Sequence, residues 1–224
     1  MTRLKAPASI DDGRPLPDPR MARDGLVAIG GELTVDRLRE AYGKGIFPWT
    51  EHPVTWWSPE ERGVLDLAAI HVPRRLKPVL ARHPYRVTFD AAFDAVIEAC
   101  AAAPRDADKT WITPGFIVAY QRFHRAGYAH SIELWEGDVL QGGIYGVAIG
   151  GAFAGESMFH HVKDASKIAL VLLQRHLREC GFTLFDTQMV TPVTSLMGAR
   201  EISRDDYLSR LSDALLVSAH FRKT

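Results

Sequence analysis

The stretch from residue 131 to residue 158, SIELWEGDVLQGGIYGVAIGGAFAGESM, decides the fold because it predicts three consecutive β-strands. Ser131 to Trp135 and Val139 to Val147 are joined by the turn residues Glu136-Gly137-Asp138, a pattern typical of a β-hairpin. Gly151 to Met158 predicts a third strand directly afterwards. Short connections of this kind join antiparallel strands, so the centre of the chain is predicted to be an antiparallel sheet.

Helices are predicted on either side of this sheet. The pattern predicts one helix from Pro114, another from Ala165 to about Glu179, a strand from Thr183 to Thr187 and a final helix near Arg204. Antiparallel strands followed by a helix and a strand indicate an α+β fold with a mixed, mainly antiparallel sheet. Acyltransferases of the Gcn5-related acetyltransferase (GNAT) fold use this order, although a fold does not fix a function.

The first 64 residues have a different character. Residues 1–20 are polar and rich in proline, and Thr34 to Tyr42 predicts a helix with Thr34 as its N-cap. The aromatic segments Ile46-Phe47-Pro48-Trp49 and Thr55-Trp56-Trp57-Ser58-Pro59 contain proline, so they predict ordered loops or edge strands rather than central strands.

The overall composition excludes several classes of protein. Lysine and arginine number 27, as do aspartate and glutamate, so the formal charge is zero, which argues against gripping long nucleic acid. The two cysteines are isolated, and none of the nine histidines has metal-ligand spacing, so neither a disulfide framework nor a metal or other cofactor is expected. The sequence contains no apolar run of membrane-spanning length and no signal-peptide core, which predicts a cytoplasmic protein with no membrane partner.

Two carboxylates stand inside apolar strand-like runs, Glu156 in Gly155-Glu156-Ser157-Met158-Phe159 and Asp186 in Phe185-Asp186-Thr187-Gln188. A buried charge costs several kcal/mol unless a partner compensates it, so this pair indicates a site that binds a cation or moves a proton. Pairing with arginine is the alternative explanation. Because Asp186 and Gln188 are two apart on a predicted strand, their side chains are expected to share a face.

The segment before the helix at Ala165 argues against coenzyme A as the acyl donor. A GNAT enzyme binds the pyrophosphate on a glycine-rich loop at that helix N-terminus. Residues 160–167 here contain no glycine, and the anionic Asp164 stands where the pyrophosphate would lie. A different acyl donor is therefore indicated.

Many short motifs, in order along nearly the whole chain, resemble the bacterial leucyl/phenylalanyl-tRNA–protein transferases. The matching segments are 24–31, 41–42, 45–49, 56–59, 110–114, 127–131, 142–147, 155–159, 164–167 and 186–188. The resemblance implies a small N-terminal domain, 1–64, that contributes aromatic residues to the site, and a GNAT-like catalytic domain, 65–224. It also implies transfer of leucine or phenylalanine, less readily methionine, from aminoacyl-tRNA to proteins beginning with arginine or lysine. The products are then recognised by the N-end rule degradation machinery.

The reaction assigns roles to particular residues. Aminolysis of an ester needs a neutral amine, a stabilised oxyanion and a proton for the leaving hydroxyl. Asp186 is predicted to orient or deprotonate the amine, Gln188 to position the reacting group, and Glu156 to bind an ammonium group. Trp49 and Trp111 resemble the family's aromatic residues around the terminal adenosine, with Tyr42 and Tyr120 at the rim. The pocket for the side chain of the transferred amino acid is predicted to be lined by Ile144, Phe153, Gly155, Met158 and Phe185. For each of these residues, packing in the core is the alternative.

One segment departs from the family. Val193 and Leu196 stand where the family usually carries histidine and serine, and a local shift would put Ser195 in the serine's place. Two alternatives stay open at this point: an acetyl-coenzyme A acetyltransferase on the same fold, and a non-catalytic module that binds basic N-termini through Glu156 and Asp186.

Overall fold

The computed structural model describes residues 8–10, 13–103 and 110–224, so part of the predicted N-terminal arm lies outside the described residues. Among the described residues, four strands form a small sheet in the order β1-β2-β4-β3. The strands are β1 (Ala8–Ile10), β2 (Leu26–Gly30), β3 (Phe47–Glu51) and β4 (Val54–Trp57). Helix α1 (Val35–Gly43) begins after Thr34, whose side chain caps it as predicted.

The prediction of loops or edges for both aromatic segments is wrong for the second one. β4 is a central strand that pairs with β2 on one side and β3 on the other. Its prolines flank the strand at positions 53 and 59, so every residue from Val54 to Trp57 retains its N–H donor. Pro48 lies on β3, an edge strand, where a missing donor is tolerated.

The larger sheet contains seven strands within the described ranges, in the order β11-β5-β10-β9-β8-β7-β6. They are β5 (Glu61–Leu65), β6 (Arg86–Phe89), β7 (Ala129–Glu136), β8 (Val139–Ile149), β9 (Ala152–His160), β10 (Leu184–Gln188) and β11 (Arg200–Ser203). Among these strands, β9 and β10 are the parallel neighbours and the other neighbouring pairs are antiparallel. The mixed, mainly antiparallel sheet is thus as predicted, whereas β5 and β11 were not predicted.

Six further α-helices lie in the described part of the chain: α2 (Lys77–Arg82), α3 (Phe93–Ala102), α4 (Pro114–Arg125), α5 (Ala165–Glu179), α6 (Pro192–Leu196) and α7 (Arg204–Leu215). The predicted starts at Pro114, Ala165 and Arg204 are confirmed, while α2 and α6 were not predicted. None of the described helices is long and apolar enough to cross a membrane.

The hydrophobic core connects the two sheets. One cluster joins Trp56 of the small sheet and Tyr42 of α1 to Phe123 of α4 and to Tyr145 of β8. A second cluster lies under α5 and includes the neighbouring β8 residue Ile144, because successive strand residues face opposite sides. The division at residues 64 and 65 stays a prediction; β5 spans it and belongs to the larger sheet.

Candidate active site

The site lies where β9 and β10 separate. Their parallel pairing runs from Leu184 opposite Ala152 to Asp186 opposite Ala154 and goes no further. On the other side of β9, Gly146 pairs with Gly155 and Tyr145 with Ser157, which leaves Glu156 as the extra residue of a β-bulge. A bulge redirects a side chain, and here it places the Glu156 carboxylate at the opening between the two strands.

Glu156 is held by hydrogen bonds from two directions. The Gln188 side-chain amide donates to its Oε1 at 2.7 Å, and the Tyr120 hydroxyl donates to its Oε2 at 3.2 Å. The Tyr42 hydroxyl bonds in turn to that of Tyr120. Burial raises the pKa of the Glu156 carboxyl to about 7; hydrogen bonds from Tyr42 and Tyr120 oppose this rise, and the nearby Asp186 charge adds to it.

Asp186 is paired with Arg62 in the core. Arg62 Nε donates to Oδ1 at 2.9 Å and Nη2 to Oδ2 at 2.6 Å, while the Tyr207 hydroxyl donates to Oδ2 at 2.9 Å. Asp186 and Arg62 are each 1% exposed. The alternative explanation from the sequence, pairing with arginine, therefore holds for Asp186.

Two cavities meet at Glu156. The first, of about 210 Å³, is called the aromatic cavity and is lined by Phe47, Pro48, Trp49, Trp111, Glu156, Thr187, Gln188, Met189 and Thr191. The second, of about 150 Å³, is called the apolar cavity and is lined by Ile144, Gly155, Glu156, Ser157, Met158, Leu170, Phe185, Thr187, Met189, Thr191 and Thr194. A wider cleft of about 460 Å³ lies elsewhere, and its Arg20 and Lys44 side chains are already paired with Asp205 and Glu40.

Comparison with known proteins decides the family. Residues 64–212 match the model described as leucyl/phenylalanyl-tRNA protein transferase, and residues 31–60 match the model of its N-terminal domain. The chain belongs to the leucyl/phenylalanyl-tRNA–protein transferase family. It is therefore an aminoacyltransferase.

Relatives support this assignment over most of the chain. The leucyl/phenylalanyl-tRNA–protein transferase of Anaeromyxobacter sp. strain K is 52% identical over 89% of this chain and 87% of its own length. The transferase of Nitratidesulfovibrio vulgaris strain DP4 is 50% identical over 85% of this chain and 83% of its own. A solved structure of L-PGS from Bacillus licheniformis is 12% identical over 83% of this chain and 63% of its own, with a TM-score of 0.44, too low to add to the assignment.

The structure brings most of the predicted site residues of this transferase together. Trp49 and Trp111 line the aromatic cavity, while Ile144, Gly155, Met158 and Phe185 line the apolar cavity. Glu156 belongs to both cavities, and Gln188 lines the aromatic one.

Three predicted substrate contacts lie in the core instead. Phe153 is 1% exposed and packs edge-on against Phe185 at 5.4 Å between ring centroids, so it supports the wall of the apolar cavity from behind. Tyr42 and Tyr120 are also buried and line neither cavity; the Tyr120 hydroxyl bonds to Glu156, and that of Tyr42 bonds to Tyr120. The two hydroxyl groups therefore form a buried chain to the Glu156 carboxylate, and neither lies at the rim of a cavity.

The expectation that Asp186 and Gln188 share one face is wrong. The pairing of β10 with β5 shifts register between the two residues, and Gln188 has a φ of 61°. The alternation of side chains between the two faces of the sheet therefore ends at Asp186. The Asp186 side chain contacts Arg62, whereas that of Gln188 contacts Glu156.

The departures from the family lie outside both cavities. Leu196 is 52% exposed, Ser195 is exposed and Val193 is half-buried, and none of the three lines a cavity. Thr191 and Thr194, from the same segment, do line the cavities.

Sequence reasoning missed Arg62, Tyr207 and Met189. The criterion that found Asp186, a charge inside an apolar run, does not find Arg62, because Glu60 and Glu61 precede it and the apolar residues Val64 and Leu65 follow it. Among the described residues, no group of three histidine, cysteine, aspartate or glutamate side chains is placed to hold a metal ion.

Proposed function

We propose that the chain transfers leucine or phenylalanine, and less readily methionine, from the 3′ end of charged tRNA to the N-terminal α-amine of proteins beginning with arginine or lysine. The observation that carries this proposal is the meeting of two chemically different cavities at one carboxylate, Glu156. The donor has the same two halves, a nucleoside and an amino acid joined by an ester. With each half in its matching cavity, the ester lies beside Glu156 and Gln188.

The aromatic cavity suits the terminal adenosine. Trp49 and Trp111 are half-buried and both line it, so each has ring surface available to a base. Stacking of a base on an aromatic ring contributes about 1–3 kcal/mol and needs no charge. This is consistent with a chain of zero formal charge that reads the end of a tRNA rather than a long stretch of it.

The apolar cavity suits the aminoacyl side chain. Ile144, Met158, Leu170 and Phe185 form an apolar wall, and the absence of a side chain at Gly155 keeps the space open. A methionine in the wall adapts to side chains of different shape because it is unbranched and flexible. Leucine, phenylalanine and methionine, all unbranched at Cβ, are the expected occupants.

Peptide-bond formation then proceeds by aminolysis of the ester. The neutral α-amine of the acceptor attacks the carbonyl carbon, the bond from that carbon to the ribose oxygen breaks, and the ribose hydroxyl leaves with the proton given up by the amine. Ionised Glu156 stabilises an ammonium group beside the reacting carbonyl, and the Gln188 amide, fixed against Glu156 at 2.7 Å, positions that carbonyl.

Acceptor selection is the second part of the proposal. An N-terminal arginine or lysine brings two positive charges, which favours a site with negative charge. Arg62 neutralises Asp186 through a bidentate ion pair, so Glu156 is the carboxylate that lines the cavities and retains an uncompensated charge when ionised.

The GNAT-like fold of residues 65–224 is also a proposal, supported by the order of antiparallel strands, α5 and the parallel strand β10. At the N-terminus of α5, where a GNAT enzyme binds the pyrophosphate of coenzyme A, the anionic Asp164 accepts a hydrogen bond from Lys167 at 2.6 Å. This contact disfavours the acetyl-coenzyme A alternative.

The last part of the proposal concerns the products of the transfer. Their new N-terminal residue marks them for N-end rule degradation in the cytoplasm.

The test uses radiolabelled leucyl-tRNA and two peptides that differ only in an N-terminal lysine or alanine. We expect label on the lysine peptide alone, and the same result with phenylalanyl-tRNA. Label on neither peptide with either tRNA would overturn the proposed donor and acceptor. Acetylation of the lysine peptide from acetyl-coenzyme A would favour the alternative.

A further inference from the structure

Gln188 occupies a strained turn at the end of β10. Its φ is 61°, in the left-handed region, and the Met189 N–H donates to the Thr187 carbonyl at 2.7 Å. A three-residue turn closed in this way at positive φ is a rare γ-turn, and a non-glycine residue is strained there. Such strain persists when the surroundings impose it, and it concentrates at functional sites.

The surroundings that impose this turn centre on Asp186. Its Oδ1 accepts the backbone N–H of Gln188 at 2.7 Å and Arg62 Nε at 2.9 Å. Arg62 is fixed in turn by its Nη1 bond to the Gly45 carbonyl at 3.1 Å, and its guanidinium lies 4.8 Å from the Phe47 ring centroid.

Tyr207 closes the cluster from α7. Its hydroxyl donates to Asp186 Oδ2 at 2.9 Å, and its ring lies 4.3 Å from the Arg62 guanidinium. Asp186 lines neither cavity and its oxygen atoms are occupied by these donors, so an acceptor amine has no path to it.

We propose that Arg62 and Tyr207, acting through Asp186, are positioning residues that hold Gln188 in its strained turn, so that its amide stands against Glu156 where the two cavities meet. A buried ion pair is weak evidence for stability, because desolvating two charges offsets most of their attraction. Fixing the Gln188 amide is a role that the Arg62–Asp186 pair can fill and that apolar residues packed in its place could not. The inference rests on the proposed function and assigns Asp186 a part other than that of general base.

The test compares the kinetics of Tyr207→Phe with those of Tyr128→Phe. Tyr207→Phe removes one hydroxyl and keeps the ring over Arg62, whereas Tyr128 is a matched control that packs on Phe123 away from both cavities. We expect Tyr207→Phe to lower kcat about tenfold and to leave KM for leucyl-tRNA within about twofold of the parent value. The reason is that the variant misplaces the Gln188 amide, which acts in the transition state. The control is expected to match the parent enzyme.

A double-mutant cycle separates positioning from base catalysis. Gln188→Gly adopts positive φ without strain and removes the amide, so Tyr207→Phe should cause no further loss of kcat in that background. An undiminished tenfold loss there, or an unchanged kcat for Tyr207→Phe alone, would overturn the inference. If Tyr207→Phe fails to fold, Arg62→Lys is measured in the same cycle with the same expectation. Absence of transfer by the parent enzyme would instead be a failure of the proposed function.

Discussion

At the scale of single residues, the proposed chemistry centres on Glu156, a carboxylate shared by two cavities and held by Tyr120 and Gln188. The bulge in β9 leaves its side chain lining both cavities. Burial raises its pKa to about 7, so its charge changes within the physiological range.

Glu156→Gln tests this charge through pH. The transfer rate of the parent enzyme should rise as the pH passes about 7, because the ionised carboxylate stabilises an ammonium group. The Glu156→Gln variant should transfer more slowly, and its rate should not rise near pH 7. A second rise should remain, because the acceptor α-amine loses its proton with a pKa of about 7.7–8.0. The measurement is the pH profile of transfer to the lysine peptide; an unchanged profile would remove Glu156 from the mechanism.

The same variant has a predicted effect on stability. The folded-state pKa of Glu156 lies above its unfolded value, so the protonated group stabilises the fold at low pH and this contribution is lost as pH rises through about 7. Glu156→Gln should therefore lose less thermal stability than the parent between about pH 5 and pH 8. Parallel melting curves of the two proteins at each pH would contradict the raised pKa.

Trp49→Ala tests the aromatic cavity. Loss of one stacking surface should raise KM for leucyl-tRNA by about 5- to 150-fold, equivalent to ~1–3 kcal/mol, with little change in melting temperature because Trp49 is half-buried. The control is Trp135→Ala, which removes a tryptophan of β7 whose ring lies against Arg86 of β6. This change should leave KM unchanged. A large drop in melting temperature for Trp49→Ala would make Trp49 a core residue.

At the scale of elements, the site exists because β9 and β10 stop pairing after Ala154 and Asp186. The hairpin, α5 and the strand at residues 183–187 could be predicted, because their side-chain periodicity and turn residues lie within one local stretch. The bulge at Glu156 and the turn at Gln188 depend on pairing with β8 and β5, so neither is visible in a strand pattern. β5 escaped prediction because it begins with the charged residues Glu61 and Arg62, and Asp186, the residue that pairs with Arg62, lies 124 residues away.

Gly155→Ala tests how β9 shapes the apolar cavity. A Cβ at Gly155 would lie 3.0 Å from the Phe185 ring, so the ring must move. We expect lower transfer of phenylalanine than of leucine relative to the parent, because the larger side chain loses more from a narrower cavity. The control is Gly43→Ala, where a Cβ meets no described atom within 4 Å. Equal losses for both amino acids would show that Phe185 moves away from the cavity.

At the scale of the whole molecule, the two sheets share one core. Trp56 of the small sheet and Tyr145 of the larger one belong to the same cluster. Arg62 of β5, in the larger sheet, also bonds to the carbonyl of Gly45, which precedes β3 of the small sheet. The aromatic cavity is itself built from both parts, with Trp49 before the division at residues 64 and 65 and Trp111 after it. The catalytic arrangement therefore depends on both parts being folded together.

This continuity predicts a single unfolding transition. Denaturation followed by tryptophan fluorescence, which reports mainly on the small sheet, should coincide with denaturation followed by far-ultraviolet circular dichroism. Four of the five tryptophans lie before residue 58 or line the aromatic cavity, so the two signals weight the parts differently. Two separated midpoints would show that the parts unfold independently.

The central claim, that the donor spans two cavities that meet at Glu156, is tested most directly by a crystal structure with a non-hydrolysable analogue. Adenosine carrying phenylalanine through a 3′ amide retains both halves of the donor and cannot be transferred as an ester. We predict the base between Trp49 and Trp111, the phenyl ring against Ile144 and Met158, and the amide that replaces the ester beside Glu156 and Gln188. A phenyl ring in the aromatic cavity, or an amide remote from Glu156 and Gln188, would contradict it.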